Sequence, residues 1–134
     1  MRAVVLVDKR KLEVKEIESP VSKSGEVMIE ILKCGICGSD LHNFEAGEPK
    51  GLVMGHEFCG SVLDPGSRTD LKVGDIVTAL PISPCGHCGA CESGNPQYCK
   101  QTWNDAVGLS LTRPGALTKK YVFVLIWFLK YQTQ

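Results

Sequence analysis

Four of the chain's seven cysteines lie close together in the stretch CGHCGACESGNPQYC. Their spacing is C-x2-C-x2-C-x7-C: Cys85, Cys88, Cys91 and Cys99. Four thiolates suit a closed tetrahedral zinc site, and two-residue gaps let the backbone curl around one ion. An iron–sulfur cluster and disulfides are the competing interpretations, although Lys100 stands where ferredoxin-type motifs commonly have proline. His87 lies among these cysteines and is a possible substitute ligand, but we expect it to be exposed and not to bind the metal.

A second group of metal-binding residue types lies upstream, in KCGICGSDLH and GHE. Three of its side chains are candidate ligands: Cys37, His56 and Glu57. Three protein ligands with one position left open are typical of a catalytic zinc. Asp40 would hold the ring of His56 from behind and fix its tautomer. Ser39 carries a hydroxyl able to relay a proton, and His42 is near enough in sequence to receive it.

Other interpretations exist for the same residues. Cys34 and Cys37 form C-x-x-C, which is also a redox motif, but that motif is informative beside a βαβ pattern and none is found here. A histidine next to a glutamate is common by chance, so GHE alone decides little. Cys34 and Cys59 have apolar or small neighbours, and we predict that both are buried free thiols.

Short β-strands are the elements predicted to carry these side chains. Alternating or β-branched runs indicate strands at residues 2–7, 12–17, 26–32, 60–63 and 76–79. In the third run, Val27, Ile29 and Ile31 fall on one face. One short helix is expected before residue 100, from Asp40 to Glu45 with Ser39 as its N-cap. Glycine and proline between the runs favour a mainly β fold, either a small barrel or a sandwich.

Two segments depart from this strand pattern. Residues 81–102 have few apolar side chains and no helix or strand period, so a bound zinc would have to supply their folding energy. Residues 121–129 (YVFVLIWFL) form an apolar run that is too short for a membrane span of about 20 residues. We predict a buried strand there, with contact to a membrane surface as the alternative.

The composition limits the classes of function. The chain has 134 residues, one domain's worth, and its 15 basic and 15 acidic residues balance. With no basic excess, nucleic-acid binding gains no support. The apolar run at the N-terminus stops at Val7 before charged residues, which is not the pattern of a signal peptide. We therefore expect a cytoplasmic location, where clustered thiols more often bind metal than form disulfides, and no membrane partner.

These segments together resemble the zinc-dependent medium-chain alcohol dehydrogenase family. The matching pieces, in order, are GEVMIEILKCGICGSDLH, GHEFCGSV and LKVGDIVTALPISPCGHCGACESGNPQYC. The resemblance covers residues 1–124 and implies the N-terminal catalytic domain of such an enzyme, with a GroES-like, partly open β-barrel. Within it, the structural zinc lobe would take up about residues 81–102. Residues 125–134 do not resemble the family and form an atypical apolar tail.

The resemblance also implies roles for the candidate residues. Cys37 and His56 would bind the catalytic zinc, and Glu57 would bind it or stand just behind it. Ser39 would hydrogen-bond the substrate hydroxyl, and His42 would pass its proton towards solvent. The structural zinc would be held by the four clustered cysteines: Cys85, Cys88, Cys91 and Cys99. The implied reaction is oxidation of a small alcohol or polyol, with hydride transfer to NAD or NADP.

One part of the family pattern is missing. The Rossmann fingerprint for a dinucleotide is G-x-G-x-x-G, and no two of the 14 glycines are separated by a single residue. We therefore expect a fragment or an interrupted reading frame rather than a stand-alone domain, and no turnover by the chain alone. Homo-oligomers would form through the missing second domain. The alternative function is a non-catalytic zinc-binding β-barrel module that assembles with a partner, with the apolar tail as its interface.

Overall fold

Seven β-strands and two short α-helices make up the described part of the computed structural model, which covers residues 1–19, 21, 25–118, 121–125 and 128–130. The helices are α1 (Gly38–Ala46) and α2 (Gly89–Glu92), and a 3₁₀ turn covers Pro96–Tyr98. The strands are β1 (Arg2–Asp8), β2 (Lys11–Glu16), β3 (Glu26–Cys34), β4 (Phe58–Asp64), β5 (Ile76–Ala79), β6 (Tyr121–Leu125) and β7 (Phe128–Lys130). All five strands predicted from the sequence before residue 80 are confirmed, with bounds that differ by a few residues.

The strands form an antiparallel hairpin and a curled antiparallel sheet. β1 pairs with β2, and the larger sheet has the order β6-β3-β4-β5-β7. Its two outer strands are three residues apart in the chain, at Leu125 and Phe128, so they end within about 11 Å of each other. A flat sheet would separate them by four strand spacings, about 19 Å. The sheet therefore curls, and since β6 and β7 do not pair with each other in the described residues, the barrel stays partly open. The expected mainly β, GroES-like architecture is confirmed.

The apolar run at 121–129 contributes two strands rather than one. β6 pairs with β3, and β7 pairs with β5 on the other side of the sheet. The prediction of strand structure is therefore confirmed at 121–125 and 128–129, while residues 126 and 127 and the burial of the whole run lie outside what is described. Among the described residues, neither helix has the length and apolar character needed to cross a membrane.

The core of the sheet follows the alternation of its strands. Val27 and Ile29 of β3 are fully buried, and Ile31 is partly buried against them, which confirms the predicted face. Phe58 of β4 and Val77 of β5 belong to the same cluster. Burial of each such side chain stabilises the fold by about 1.5–3 kcal/mol. This packing fixes β3 against β4, which carry the candidate site at their ends.

The first helix begins two residues earlier than the sequence indicated. Its N-cap is Cys37, not the predicted Ser39, because the N–H of Cys37 donates to Asp40 Oδ2 at 2.9 Å. The carboxylate thereby satisfies one of the donors left free at a helix start. The helix ends at Gly47, whose φ of 77° is left-handed.

The lobe at residues 81–102 contains more regular structure than predicted. α2 and the 3₁₀ turn lie there, whereas the sequence indicated a single helix before residue 100. Each is about one turn long, which is too short to produce an apolar period. The ends of the lobe are joined by a bond from Ser83 N–H to Thr102 O, at 3.0 Å.

Three glycines from distant parts of the chain meet beside His56. A Cβ at Gly115 would lie 2.6 Å from both Gly108 Cα and Gly55 O. Gly55 and Gly108 also have left-handed φ values of 98° and 69°. Backbone bonds hold the same place together, including Ala116 N–H to Gly55 O at 2.7 Å. Only residues without a Cβ allow this approach, which sets the position of the residue that follows Gly55.

Replacement of Gly115 by alanine is expected to destabilise the fold by about 3 kcal/mol or more, because the methyl group would overlap backbone atoms that cannot rotate away. The measurement is the free energy of unfolding in urea. Gly38→Ala is the matched control, since no atom lies within 4 Å of its Cβ position and alanine favours a helix. A Gly115→Ala variant as stable as the control would contradict the close approach.

Candidate functional site

The candidate catalytic residues meet at one end of the β3–β4 pair. Cys34 at the end of β3 lies opposite Phe58 at the start of β4 in this antiparallel pair. The chain leaving β3 and the chain entering β4 therefore lie at the same edge of the sheet. Cys37 follows β3 by three residues, and His56 and Glu57 directly precede β4. The pairing of two strands thus brings together ligands that are far apart in sequence.

The three predicted donors are close enough to share one ion. One donor atom from each of Cys37, His56 and Glu57 lies within 4.8 Å of the others. His56 is 9 % exposed, Cys37 is partly buried and Glu57 is exposed. A thiolate, an imidazole and a carboxylate are a donor set that zinc accepts. The arrangement therefore fits a metal that is buried on one side and open on the other.

Asp40 lies beside one ring nitrogen of His56. Its Oδ1 lies 3.5 Å from His56 Nδ1, and the Asp40 side chain is 2 % exposed. Neither of these two buried atoms has another hydrogen-bond partner in the part of the chain that the structure describes. Since buried polar atoms are nearly always paired, a ring proton on Nδ1 directed at the carboxylate would satisfy both atoms. Nε2 would then be the ring nitrogen without a proton.

Ser39 is the hydrogen-bond partner of the other ring nitrogen of His56. Its Oγ is 3.3 Å from His56 Nε2, so the hydroxyl lies next to the position a metal would take. His42 is three residues further along α1, on the same helical face, and both side chains are exposed. His42 is not part of the three-donor group.

An open cleft borders two of the three donors, His56 and Glu57. It has a volume of about 580 Å³ and its lining includes Gly35, His56, Glu57, Cys59 and Pro81. Clefts of this size hold small molecules.

The four clustered thiols have the spacing of a tetrahedral metal site. All four Sγ atoms lie within 4.8 Å of one another. Cys91 Sγ is 4.0 Å from Cys85 Sγ and 3.6 Å from Cys88 Sγ. A regular tetrahedron with Zn–S bonds of about 2.3 Å requires sulfur–sulfur distances of about 3.8 Å. The cluster therefore fits one zinc ion with every position filled by the protein.

The backbone of the lobe favours the thiolate form at Cys99. The N–H groups of Cys85 and Gln101 both point at Cys99 Sγ, each at 3.4 Å. These two donors lower the pKa of Cys99 to about 6, so the metal-binding form predominates at neutral pH. His87 is exposed, as predicted, and its Nδ1 lies 2.8 Å from Cys85 O.

The prediction that the remaining two cysteines are buried is wrong. Cys34 and Cys59 are free thiols, but both are only partly buried. Cys59 lines the cleft, and Cys34 packs at the margin of the core beside a second surface cleft. Partial burial, together with the charges of Asp40 and Glu57, raises the pKa of Cys34. This thiol is therefore protonated at neutral pH.

The sequence analysis missed the glycines that support the site. Gly35 donates its N–H to Glu57 O at 2.6 Å and thereby extends the β3–β4 pairing to the donor group. Gly55 supports His56 from the other side. An isolated glycine at the end of a strand signals close backbone approach, so Gly35 was recognisable. Gly108 and Gly115 carried no such signal, because their contact is with residues distant in sequence.

Known proteins are similar to this chain in sequence and fold. The model of the alcohol dehydrogenase GroES-like domain family matches residues 23–129. The sorbitol dehydrogenase of Bacillus subtilis is 36 % identical over 106 residues, which is 74 % of this chain and 30 % of that protein. The alcohol dehydrogenase TADH from Thermus sp. ATN1 superposes with a TM-score of 0.86 at 30 % identity, covering 99 % of this chain and 40 % of that one.

A third protein adds a bound cofactor to the comparison. The acetophenone reductase of Geotrichum candidum, solved in complex with NAD, has a TM-score of 0.80 at 27 % identity and covers 96 % of this chain and 39 % of its own. This chain spans less than a third of the length of the curated relatives it matches. The family match and the fold agree over most of the chain, and the chain belongs to the alcohol dehydrogenase GroES-like domain family.

Proposed function

We propose that this chain is the catalytic domain of a zinc-dependent dehydrogenase that oxidises an alcohol or polyol with a nicotinamide cofactor. The observation that carries the proposal is the convergence of Cys37, His56 and Glu57 on one open position beside Ser39. Similarity to sorbitol and alcohol dehydrogenases, and to a reductase solved with NAD, supports the reaction class.

At the open site, some residues would bind the metal and another would orient them. Cys37 and His56 hold the metal, with Glu57 as the third donor. Zinc bound there supplies a Lewis acid that favours the alkoxide form of an alcohol. Asp40 keeps the proton of His56 on Nδ1 and so keeps Nε2 available. Because Asp40 also binds the N–H of Cys37, one carboxylate positions two of the three ligands.

Ser39 and His42 would handle the substrate proton. The Ser39 hydroxyl stands beside the metal position. There it accepts the proton of a substrate hydroxyl and at the same time donates its own proton onward. His42 lies one helical turn further along the exposed face of α1 and leads the proton towards solvent.

The second zinc would have a structural role. With all four positions taken by Cys85, Cys88, Cys91 and Cys99, no coordination position is left for a substrate. The lobe buries few apolar side chains, so metal binding supplies its folding energy.

Cobalt substitution tests whether the Cys37 site has an open position. Cobalt bound to a thiolate absorbs visible light, and its spectrum changes when a ligand is exchanged. We expect an alcohol such as 2,3-butanediol to change the spectrum of the parent chain loaded with cobalt, because the fourth position is open. The Cys37→Ser variant, whose only cobalt lies in the closed four-thiol site, should show no change. Insensitivity of the parent spectrum to every alcohol would favour a non-catalytic zinc-binding module.

Replacement of Asp40 by asparagine is expected to weaken zinc binding at the open site by about 10–100-fold. The amide oxygen can still accept from Cys37 N–H, but its NH₂ group then faces His56 Nδ1 and places the ring proton on Nε2. Competition with a chelator measures the affinity. Asp64→Asn is the control, since the Asp64 side chain is exposed and, among the described residues, accepts a hydrogen bond from Gly66 N–H alone. Unchanged affinity in Asp40→Asn would show that Asp40 does not orient the ligand.

A further inference from the structure

Gly35 lies directly against the Glu57 side chain. A Cβ placed on Gly35 would be 3.2 Å from Glu57 Oε2, 3.4 Å from its Cβ and 3.5 Å from its carbonyl oxygen. The first of these distances is closer than ordinary van der Waals contact between carbon and oxygen. The carboxylate therefore rests in space that exists because residue 35 has no side chain.

The backbone of the two residues is fixed at the same place. Gly35 N–H donates to Glu57 O at 2.6 Å, so the main chain of Glu57 cannot move away without loss of this bond. The side chain of Glu57 is exposed and retains freedom to rotate. Residue 35 thus limits the positions that the Glu57 carboxylate can take.

The position of the Glu57 carboxylate matters because it is one of the three candidate metal donors. A Glu57 carboxylate oxygen is within 4.8 Å of the donor atoms of Cys37 and His56, and both Gly35 and Glu57 line the open cleft. Displacement of the carboxylate by a few tenths of an ångström changes its distance to a shared ion, whose bonds to oxygen are confined to about 2.0–2.2 Å.

We propose that Gly35 is a positioning residue for Glu57, whose missing side chain leaves the space from which the carboxylate reaches the metal of the open site. This inference rests on the proposed function, since it assumes that Cys37, His56 and Glu57 bind zinc. Gly35 has no left-handed φ, so alanine fits the backbone there and acts through its methyl group alone. Gly38 is the matched control, because nothing lies within 4 Å of its Cβ position.

The test is a double-mutant cycle on cobalt affinity at the Cys37-dependent site. Gly35→Ala should weaken binding by about tenfold or more, as for other residues that orient ligands. In a Glu57→Ala background the same substitution should change the affinity by less than about twofold, because no side chain is left there for the methyl to displace. Gly38→Ala should behave as the parent chain. All variants should retain the four-thiol metal and the parent melting temperature.

The outcomes separate this inference from the proposed function. If the parent chain binds no cobalt that depends on Cys37, both are wrong. If the parent binds it and Gly35→Ala binds equally well, or if the loss persists undiminished with Glu57→Ala, only the role of Gly35 is wrong. If Gly35→Ala does not fold, Glu57→Asp decides, since the shorter side chain leaves room for the methyl. The pair Gly35→Ala/Glu57→Asp should then bind as Glu57→Asp does, and weaker binding would overturn the inference.

Discussion

The antiparallel pairing of β3 with β4 is the constraint on which the site depends. Cys34 opposite Phe58 sets the register, and the residues beyond both strand ends carry the three donors. A slip by one residue would turn every side chain to the other face of the sheet. Gly60 protects the register, because a Cβ there would collide with the Glu30 carbonyl of the neighbouring strand. The geometry of the donors is therefore a property of the sheet, not of the loops alone.

The two candidate metal centres are supported in different ways. At the open site, packing and hydrogen bonds place the donors: the glycines behind His56, the bond from Gly35 to Glu57, and Asp40 between Cys37 and His56. The four-thiol lobe has only short helical turns and few buried apolar side chains, and we propose that a bound ion holds it together. A site preformed by its fold can leave a position open for a substrate. A metal site that stabilises its own lobe has all of its coordination positions filled by protein ligands.

Much of this was readable from the sequence because the signals are local. Alternation gave the strands, and cysteine spacing gave the four-thiol cluster. The predicted cap at Ser39 was wrong because Asp40 turns back to the N–H of Cys37, which propensity alone does not reveal. The division of the run at 121–129 between two edges of the sheet, the meeting of Gly55, Gly108 and Gly115, and the partial exposure of Cys34 depend on contacts between distant residues. Such contacts leave no mark in a short window of sequence.

Zinc content is the most direct test of the account, since both centres are argued from donor geometry. The measurement is elemental mass spectrometry on the purified, reduced chain. We expect about two zinc ions in the parent, and about one in each of Cys91→Ser and Cys37→Ser, because each variant removes a ligand from one of two independent sites. One zinc in the parent, lost with Cys91→Ser and kept with Cys37→Ser, would contradict the open metal site.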